Sequence, residues 1–278
     1  MNVLCVYRSH RFSPNMVDND ARILNAVADK LQQRGYCVHR AYEEQLGEEI
    51  AEMPDIVYTM GREDGTLCIL QELESQGKTL VVNSSSGIRN CERKRFTQIL
   101  TDEDVPFPES RVFCSSDSVS WELFPCWLKK GEGYAEVADD VMYVQNREVL
   151  QEGIEQMRQR GIETLVISRH LEGDLIKCYG VKDTPFFYCH YASGGHSKFG
   201  LERMNGKEQG YAFSEVQLQQ ICNHAATVLG IDVYGGDCVI DKDGTIRMID
   251  INDWPSFSCC REQAAETIVN NKQQKNDK

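Results

Sequence analysis

Three oxygen-bearing side chains near the C-terminal end of this sequence could do chemistry together. They are Asp237, Asp250 and Asn252, in the stretch 231–257, IDVYGGDCVIDKDGTIRMIDINDWPSF. The stretch reads as two strands, 232–240 and 245–252, around Asp241-Lys242-Asp243-Gly244. Asp-Gly between apolar runs is a strong hairpin signal. With Asp243-Gly244 as a two-residue turn, Lys242 pairs with Thr245 and Asp237 falls opposite Asp250. Asn252, two residues on, shares their face because side chains alternate along a strand. A four-residue turn keeps the three together; a three-residue turn breaks the arrangement. Val233, Val239, Ile246 and Met248 are expected on the same face, which is otherwise apolar. Like charges directly opposite in a sheet are destabilising, so the two carboxylates need a reason to be there. A hard divalent cation, bound through carboxylates and substrate phosphates, is the simplest one. Two solvated carboxylates on an exposed hairpin are the plain alternative.

The chain must supply elements that hold such a site. At 278 residues it can form one large domain or two to three small ones. The net charge of -13 argues against broad binding to a nucleic-acid backbone, though not against a local basic pocket. No apolar run approaches membrane-spanning length, and the first residues, MNVLCVY, read as a strand and not as a signal peptide. Of 12 cysteines, none forms Cys-x-x-Cys or a zinc-like spacing. Cys5, Cys68, Cys126, Cys189, Cys222 and Cys238 fall in apolar strands or helices, the pattern of reduced thiols in a cytoplasmic protein.

In the first 90 residues, strands and helices alternate. Strands are expected over 3–7, 37–41, 55–60 and 79–83, and helices over 15–34 and 67–76. That order indicates a parallel sheet with helices packed on it. Ligands on such sheets bind beyond the carboxyl ends of the strands. Three loops qualify: Arg8-Ser9-His10-Arg11, Gly61-Arg62-Glu63-Asp64 and Asn83-Ser84-Ser85-Ser86. The first could hold an anionic substrate or could be a solvated loop. No Gly-x-Gly-x-x-Gly follows the first strand, so a dinucleotide site is not supported. Further on, strands are expected over 141–144, 164–169 and 186–191. Helices are expected over 147–160, 215–229 and 260–269, with a frayed polar tail over 270–278.

Asp237, then Asp250-Ile251-Asn252, then Pro255 resembles the metal-binding end of the ATP-grasp fold, where an acidic residue and an acidic-x-Asn pair hold magnesium against ATP phosphates. The family often continues Pro-Gly; this chain has Pro255-Ser256. The resemblance extends to VVNSSSGIRNCERKRFTQILTDEDVPFPES (81–110), in which Lys94 takes the position of a phosphate-contacting lysine and Arg93 stands where Asp is usual. In Pro125-Cys-Trp-Leu-Lys129-Lys130-Gly-Glu-Gly133 a strand lysine enters a glycine-containing turn. By the resemblance, Lys129 contacts phosphate and 131–139 is the lid loop; strand alternation turns Lys130 to the other face. Arg169–Leu171, with His170 between, takes the place of the hinge that pairs with adenine. Asp174 or Glu172 takes the ribose position, and Lys177 the phosphate or substrate.

The resemblance thus implies an α/β chain, α+β overall: an N-terminal parallel-sheet domain (1–90), a lid (91–168) and a C-terminal part (169–278) carrying the metal hairpin. The last two clasp the nucleotide. ATP and magnesium, or manganese in its place, are the implied cofactors. The implied reaction joins a small-molecule or peptide carboxylate to an amine or thiol through an acyl phosphate. Lys129, Lys177, Arg8 and Arg203 are the catalytic candidates, and Arg11, Lys198 and His196 are further candidates for substrate contact. Two other readings stay open: a kinase of the inositol-phosphate type and a nucleotide-binding relative without catalysis. Acceptor, amine and oligomeric state are not given by the sequence.

Overall fold

The computed structural model describes residues 1–13, 16–49, 53–192 and 200–276. It contains three four-stranded sheets in chain order. The first comprises β1 (Asn2–Tyr7), β2 (Cys37–Tyr42), β3 (Ile56–Thr59) and β4 (Leu80–Val82), all parallel in the order β2-β1-β3-β4. Helices α1 (Val17–Gln33), α2 (Leu46–Glu49), α3 (Asp64–Ser75), α4 (Ser85–Asn90) and α5 (Arg93–Asp102) accompany or follow it. The second sheet is antiparallel, β5-β8-β6-β7, from β5 (Ser110–Cys114), β6 (Cys126–Lys130), β7 (Val141–Val144) and β8 (Thr164–Arg169), with α6 (Arg147–Gln159) on it. The third is also antiparallel, β10-β9-β11-β12, from β9 (Asp174–Val181), β10 (Phe187–Tyr191), β11 (Val233–Ile240) and β12 (Ile246–Asp253). Helices α7 (Glu215–Leu229) and α8 (Arg261–Asn276) complete the chain.

The expected elements are present with ends unmoved or moved by up to three residues, except the last helix, which continues through the polar tail to Asn276. Its buried Ala264, Ala265, Ile268 and Val269 meet Ile23, Leu24, Val27 and Leu31 of α1 in one core that also takes in Tyr179, Val181 and Val233, so α8 packs between the N-terminal sheet and one face of the third. Helix α7 covers the other face of the third sheet, burying Leu218, Cys222, Ala225 and Leu229 against Ile176, Cys238, Ile240, Met248 and Ile251. Phe96 and Leu100 of α5 join that same core.

The hairpin reaches the expected pairing by an unexpected route. Ile240 pairs with Ile246, and the Asp241 N–H bonds the Thr245 carbonyl, so the turn is a three-residue one. Such a turn sets the register one residue off. A β-bulge then corrects it: Cys238 pairs with Met248, Ile249 is left over, and Asp237 lies opposite Asp250. Bulges accommodate one extra residue in this way. Between turn and bulge the faces are exchanged, so Ile246 and Met248 join the α7 core instead of sharing the carboxylate face.

Among the polar connections between the first sheet and the third, two are built on a buried polar side chain, Asn83 and Asp253. Asn83, fully buried after β4, accepts from the Asp232 and Val233 N–H groups and donates to the Val233 carbonyl, each at 2.7 Å. Its neighbours are likewise occupied structurally, with Ser84 capping α4 and Ser85 bonded to Glu74. That strand-end loop therefore holds the fold together instead of receiving a ligand. The second connection is ionic. Asp253, at the end of β12, is fully buried between Arg62 and Arg8 from the loops after β3 and β1. Removing one partner of a buried ion pair leaves an uncompensated charge, at a cost of about 3–5 kcal/mol. Asp253→Asn should lower unfolding stability by about that amount, read from urea midpoints; an unchanged midpoint would show that the two sheets do not depend on this pair.

Candidate active site

The cavity face of the third sheet is set by strand alternation. Leu175, Lys177 and Tyr179 of β9 share it with Gly235, Asp237 and Val239 of β11 and Asp250 and Asn252 of β12, and all of them line one cavity of about 910 Å³. Residues two apart on a strand are roughly 7 Å apart, so the wall has three levels. Leu175 and Val239, with Ile249, Phe96 and Pro108, make an apolar end beside Arg169, His170 and Leu171. The middle level carries Lys177, Asp237 and Asp250 in register across three strands. Past it come Tyr179, Gly235 and Asn252, then Ser256, Ser258 and Cys259.

The middle is strongly charged. Lys177 Nζ lies 3.2 Å from Asp237 Oδ1, and Asn252 Nδ2 lies 3.4 Å from Asp250 Oδ2. From the opposite wall come Lys129 at the end of β6 and Arg93 at the start of α5. Burial first, and the Arg93 guanidinium second, pull the Lys129 ammonium down to about 8 against the opposing pull of Asp250 and Asp237. Arg93 is itself lowered by burial, against the attraction of Asp250 and Asp140. Its Nε is buried with no hydrogen-bond partner among the described residues. A buried donor without a partner is costly, and here it lies in the wall of a cavity.

At the apolar end, the Arg169 and His170 N–H groups bond the Glu109 and Pro125 carbonyls. The Trp127 indole donates to His170 Nδ1 at 3.1 Å, so that nitrogen carries a lone pair. Burial lowers the His170 pKa and Glu172 opposes it, so the ring is neutral at pH 7. At the far end, Tyr134 of the loop after β6 stacks on the Arg62 guanidinium, 3.7 Å away, and its hydroxyl donates to the Ile88 carbonyl.

A scan against protein-family models finds no match, and a search of curated proteins finds no similar sequence. Solved structures are similar. The D-alanine–D-alanine ligase of Bacillus anthracis complexed with ATP aligns over 100% of both chains at 13% identity, with a TM-score of 0.72. The D-alanine–D-alanine ligase of Coxiella burnetii aligns over 100% of this chain and 97% of its own, at 11% identity and a TM-score of 0.68. The D-alanyl-alanine synthetase A of Vibrio cholerae aligns over 98% of each, at 11% identity and a TM-score of 0.67. This chain has the ATP-grasp fold.

Within the ATP-grasp frame, the cavity brings together Asp237, Asp250, Asn252, Lys129, Lys177, Arg8, Arg169, His170 and Leu171. Other expected residues are elsewhere. Lys94 is exposed on α5; one helical step turns it away from the cavity, and Arg93 is the cation that enters. Asp174 is buried and does not line the cavity, because its carboxylate accepts the Gln209 and Tyr211 N–H groups. Glu172 is exposed and outside the lining, as is Arg203, on the short turn Leu201–Asn205 whose two ends do line it. Arg11 pairs with Glu63 at the surface. Arg8 lines the cavity but bonds Asp253 and the Met60 carbonyl. Lys198 and His196 lie outside the described residues.

All 12 cysteines are free, and Cys68, though in an apolar helix, is exposed. Cys178, Cys222 and Cys238, far apart in sequence, bring their Sγ atoms within 4.8 Å of one another on the α7 side of the third sheet, away from the cavity. Arg62, Asp253, Tyr134, Trp127 and His190 also line the cavity; only the strand-end position of Arg62 marked any of them in the sequence.

The opposing influences on Lys129 make a measurable pair. Arg93→Gln should raise its pKa above about 8 and Asp250→Asn should lower it, read by NMR titration of ¹³Cε-labelled lysine. The same shift in both variants would show that Lys129 does not sense these two charges.

Proposed function

We propose that this protein is an ATP- and magnesium-dependent ligase that joins a carboxylate to an amine through an acyl phosphate. The observation that carries the reading is the charged middle of the cavity: Asp237, Asp250 and Asn252 on one wall, and Lys129 and Arg93, with its unpartnered buried Nε, on the other. An all-oxygen donor set suits magnesium, or manganese in its place. When bound, the metal neutralises phosphate oxygens and polarises the transferring phosphoryl group. Lys129, Arg93 and Lys177 supply the remaining positive charge, and positioning does the rest, as phosphoryl transfer requires little covalent help from protein.

The apolar end fits a purine base. His170 and Arg169 have their N–H groups bonded within the protein, and no hydrogen bond from the Leu171 N–H joins it to another described residue. Leu171 is therefore the hinge residue we assign to adenine. Residues 91–168 act as the lid and 169–278 as the metal-bearing body in this reading. At the far end, Arg8 and Arg62 are balanced by Asp20 and Asp253, which leaves little charge for a polyanion. This favours an amino acid or short peptide over an inositol phosphate, and so a ligase over a kinase. D-alanine, named by the similar structures, is the first substrate to try. Twelve free thiols accord with a reducing, cytoplasmic setting.

Calorimetry with a non-hydrolysable ATP analogue should show magnesium-dependent binding to the wild type that Asp250→Asn loses. ADP release should then depend on an amino acid. No nucleotide binding by the folded wild type would end this reading. Because Lys129 loses its proton through about 8, its attraction for phosphate is full below that pH and fades above it. Affinity should fall between pH 7 and 9, and Lys129→Arg should flatten that dependence, since arginine stays charged.

A further inference from the structure

The middle level of the cavity wall is longer than the metal site needs. Cross-strand pairing places His190 of β10 opposite Lys177, Lys177 opposite Asp237, and Asp237 opposite Asp250. Four chemistry-bearing side chains thus form one row across all four strands. Neighbouring strands are about 4.8 Å apart, so the His190 backbone lies roughly 10 Å from that of Asp237. That is the reach of a substrate extending away from its phosphate.

His190 is also held in one defined state. Its Nδ1 lies 2.8 Å from the Tyr191 carbonyl oxygen. A carbonyl only accepts, so Nδ1 carries the hydrogen, and Nε2 of the neutral ring carries the lone pair. The ring stacks on Tyr179, with centroids 6.0 Å apart and planes 24° from parallel, and is tilted against Tyr188. Nε2 points to the Cys259 thiol, 3.8 Å from it, and both residues line the cavity. Cys259 is set there by a constrained segment. Trp254 and Phe257, both fully buried, hold φ values of 39° and 47°, in the left-handed region that side chains rarely adopt. Such conformations persist only where the surroundings enforce them.

We propose that His190 is the general base of the second half-reaction, with Nε2 taking the proton of the attacking amine. This inference rests on the ligase reading above. The amine nitrogen attacks the acyl carbon, the C–N bond forms, and the C–O bond to phosphate breaks with its electron pair leaving on phosphate. One ammonium proton departs with the phosphate as hydrogen phosphate. The other passes to Nε2, and the imidazolium then returns it to solvent. Lys177, between base and metal site in the row, is held on the Asp237 side by its ion pair at 3.2 Å. The Cys259 thiol lies on the Nε2 side of the ring, the side from which the amine nitrogen must approach.

Two measurements test this. Long-range ¹H–¹⁵N NMR of the imidazoles, with His190→Asn to assign the signal, should find His190 as the Nδ1–H tautomer, the minority form of free histidine. An Nε2–H tautomer would overturn the proposal, whether or not a substrate is known. The second is kinetic, with D-alanine as carboxylate, or whichever amino acid the ADP-release screen selects. His190→Asn keeps an amide N–H where Nδ1–H was, but has no basic nitrogen. It should leave positional isotope exchange in γ-labelled ATP, which reads acyl-phosphate formation, within about threefold of wild type, and lower amide formation by about 10²- to 10⁴-fold. Hydroxylamine, which is unprotonated at neutral pH, should restore most of the loss. Equal losses with both nucleophiles, or no loss, would remove His190 from the reaction. Wild type without any isotope exchange would instead defeat the ligase reading and leave the tautomer measurement standing.

Discussion

One guanidinium ties the three sheets together. Arg62 leaves the end of β3, bonds fully buried Asp253 at the end of β12, and carries the Tyr134 ring of the loop after β6 on its face. Its own N–H goes to Glu43, which also accepts from Ser9 and Glu63 and so fixes the loops after β1 and β3 to each other. Desolvation works against Arg62, but Asp253 and Tyr134 more than offset it and hold the guanidinium charged. Arg8 beside it is lowered by burial and by Arg62. The pair is thus stable only as a set with Asp253 and Asp20. Asn252 and Asp253 are consecutive, so the same short segment that brings Asn252 to the carboxylate face is clamped one residue later. The position of the carboxylate face relative to the N-terminal sheet follows from that clamp.

How much of this was legible in the sequence depended on the range of the interaction that decided it. Strand and helix periods gave the alternating first domain and the hairpin, because apolar spacing reports local geometry. The pairing of Asp237 with Asp250 was also readable, but through a two-residue turn the chain does not make. Two departures, an odd turn and a one-residue bulge, cancel, and neither has a sequence mark as plain as Asp-Gly. The Arg93–Lys94 substitution of roles is a matter of helix phase, which depends on where α5 begins. Asp174 was misread because its backbone partners, Gln209 and Tyr211, are distant in sequence. Trp127 and His190 had no signal, since an aromatic or histidine in a strand most often packs, and Tyr134 stands in the loop after β6 with nothing local to mark it.

The charges across the cavity also explain why nucleotide and metal should act on each other. Arg93, Lys129 and Lys177 face Asp237 and Asp250, three cations against two carboxylates. A triphosphate brings far more negative charge than this small excess can match, and placing it against two carboxylates without a further cation would be repulsive. A divalent ion on the carboxylate wall would reverse that repulsion at the point where it is largest. Lys129 is the sensitive member of the set. Its ammonium is pulled down to about 8 by burial and by Arg93, against Asp250 and Asp237, and a phosphate beside it would hold the proton on to higher pH, since a nearby anion favours the charged form. The two carboxylates already offset part of the repulsion between Arg93 and Lys129, and a phosphate would offset more of it.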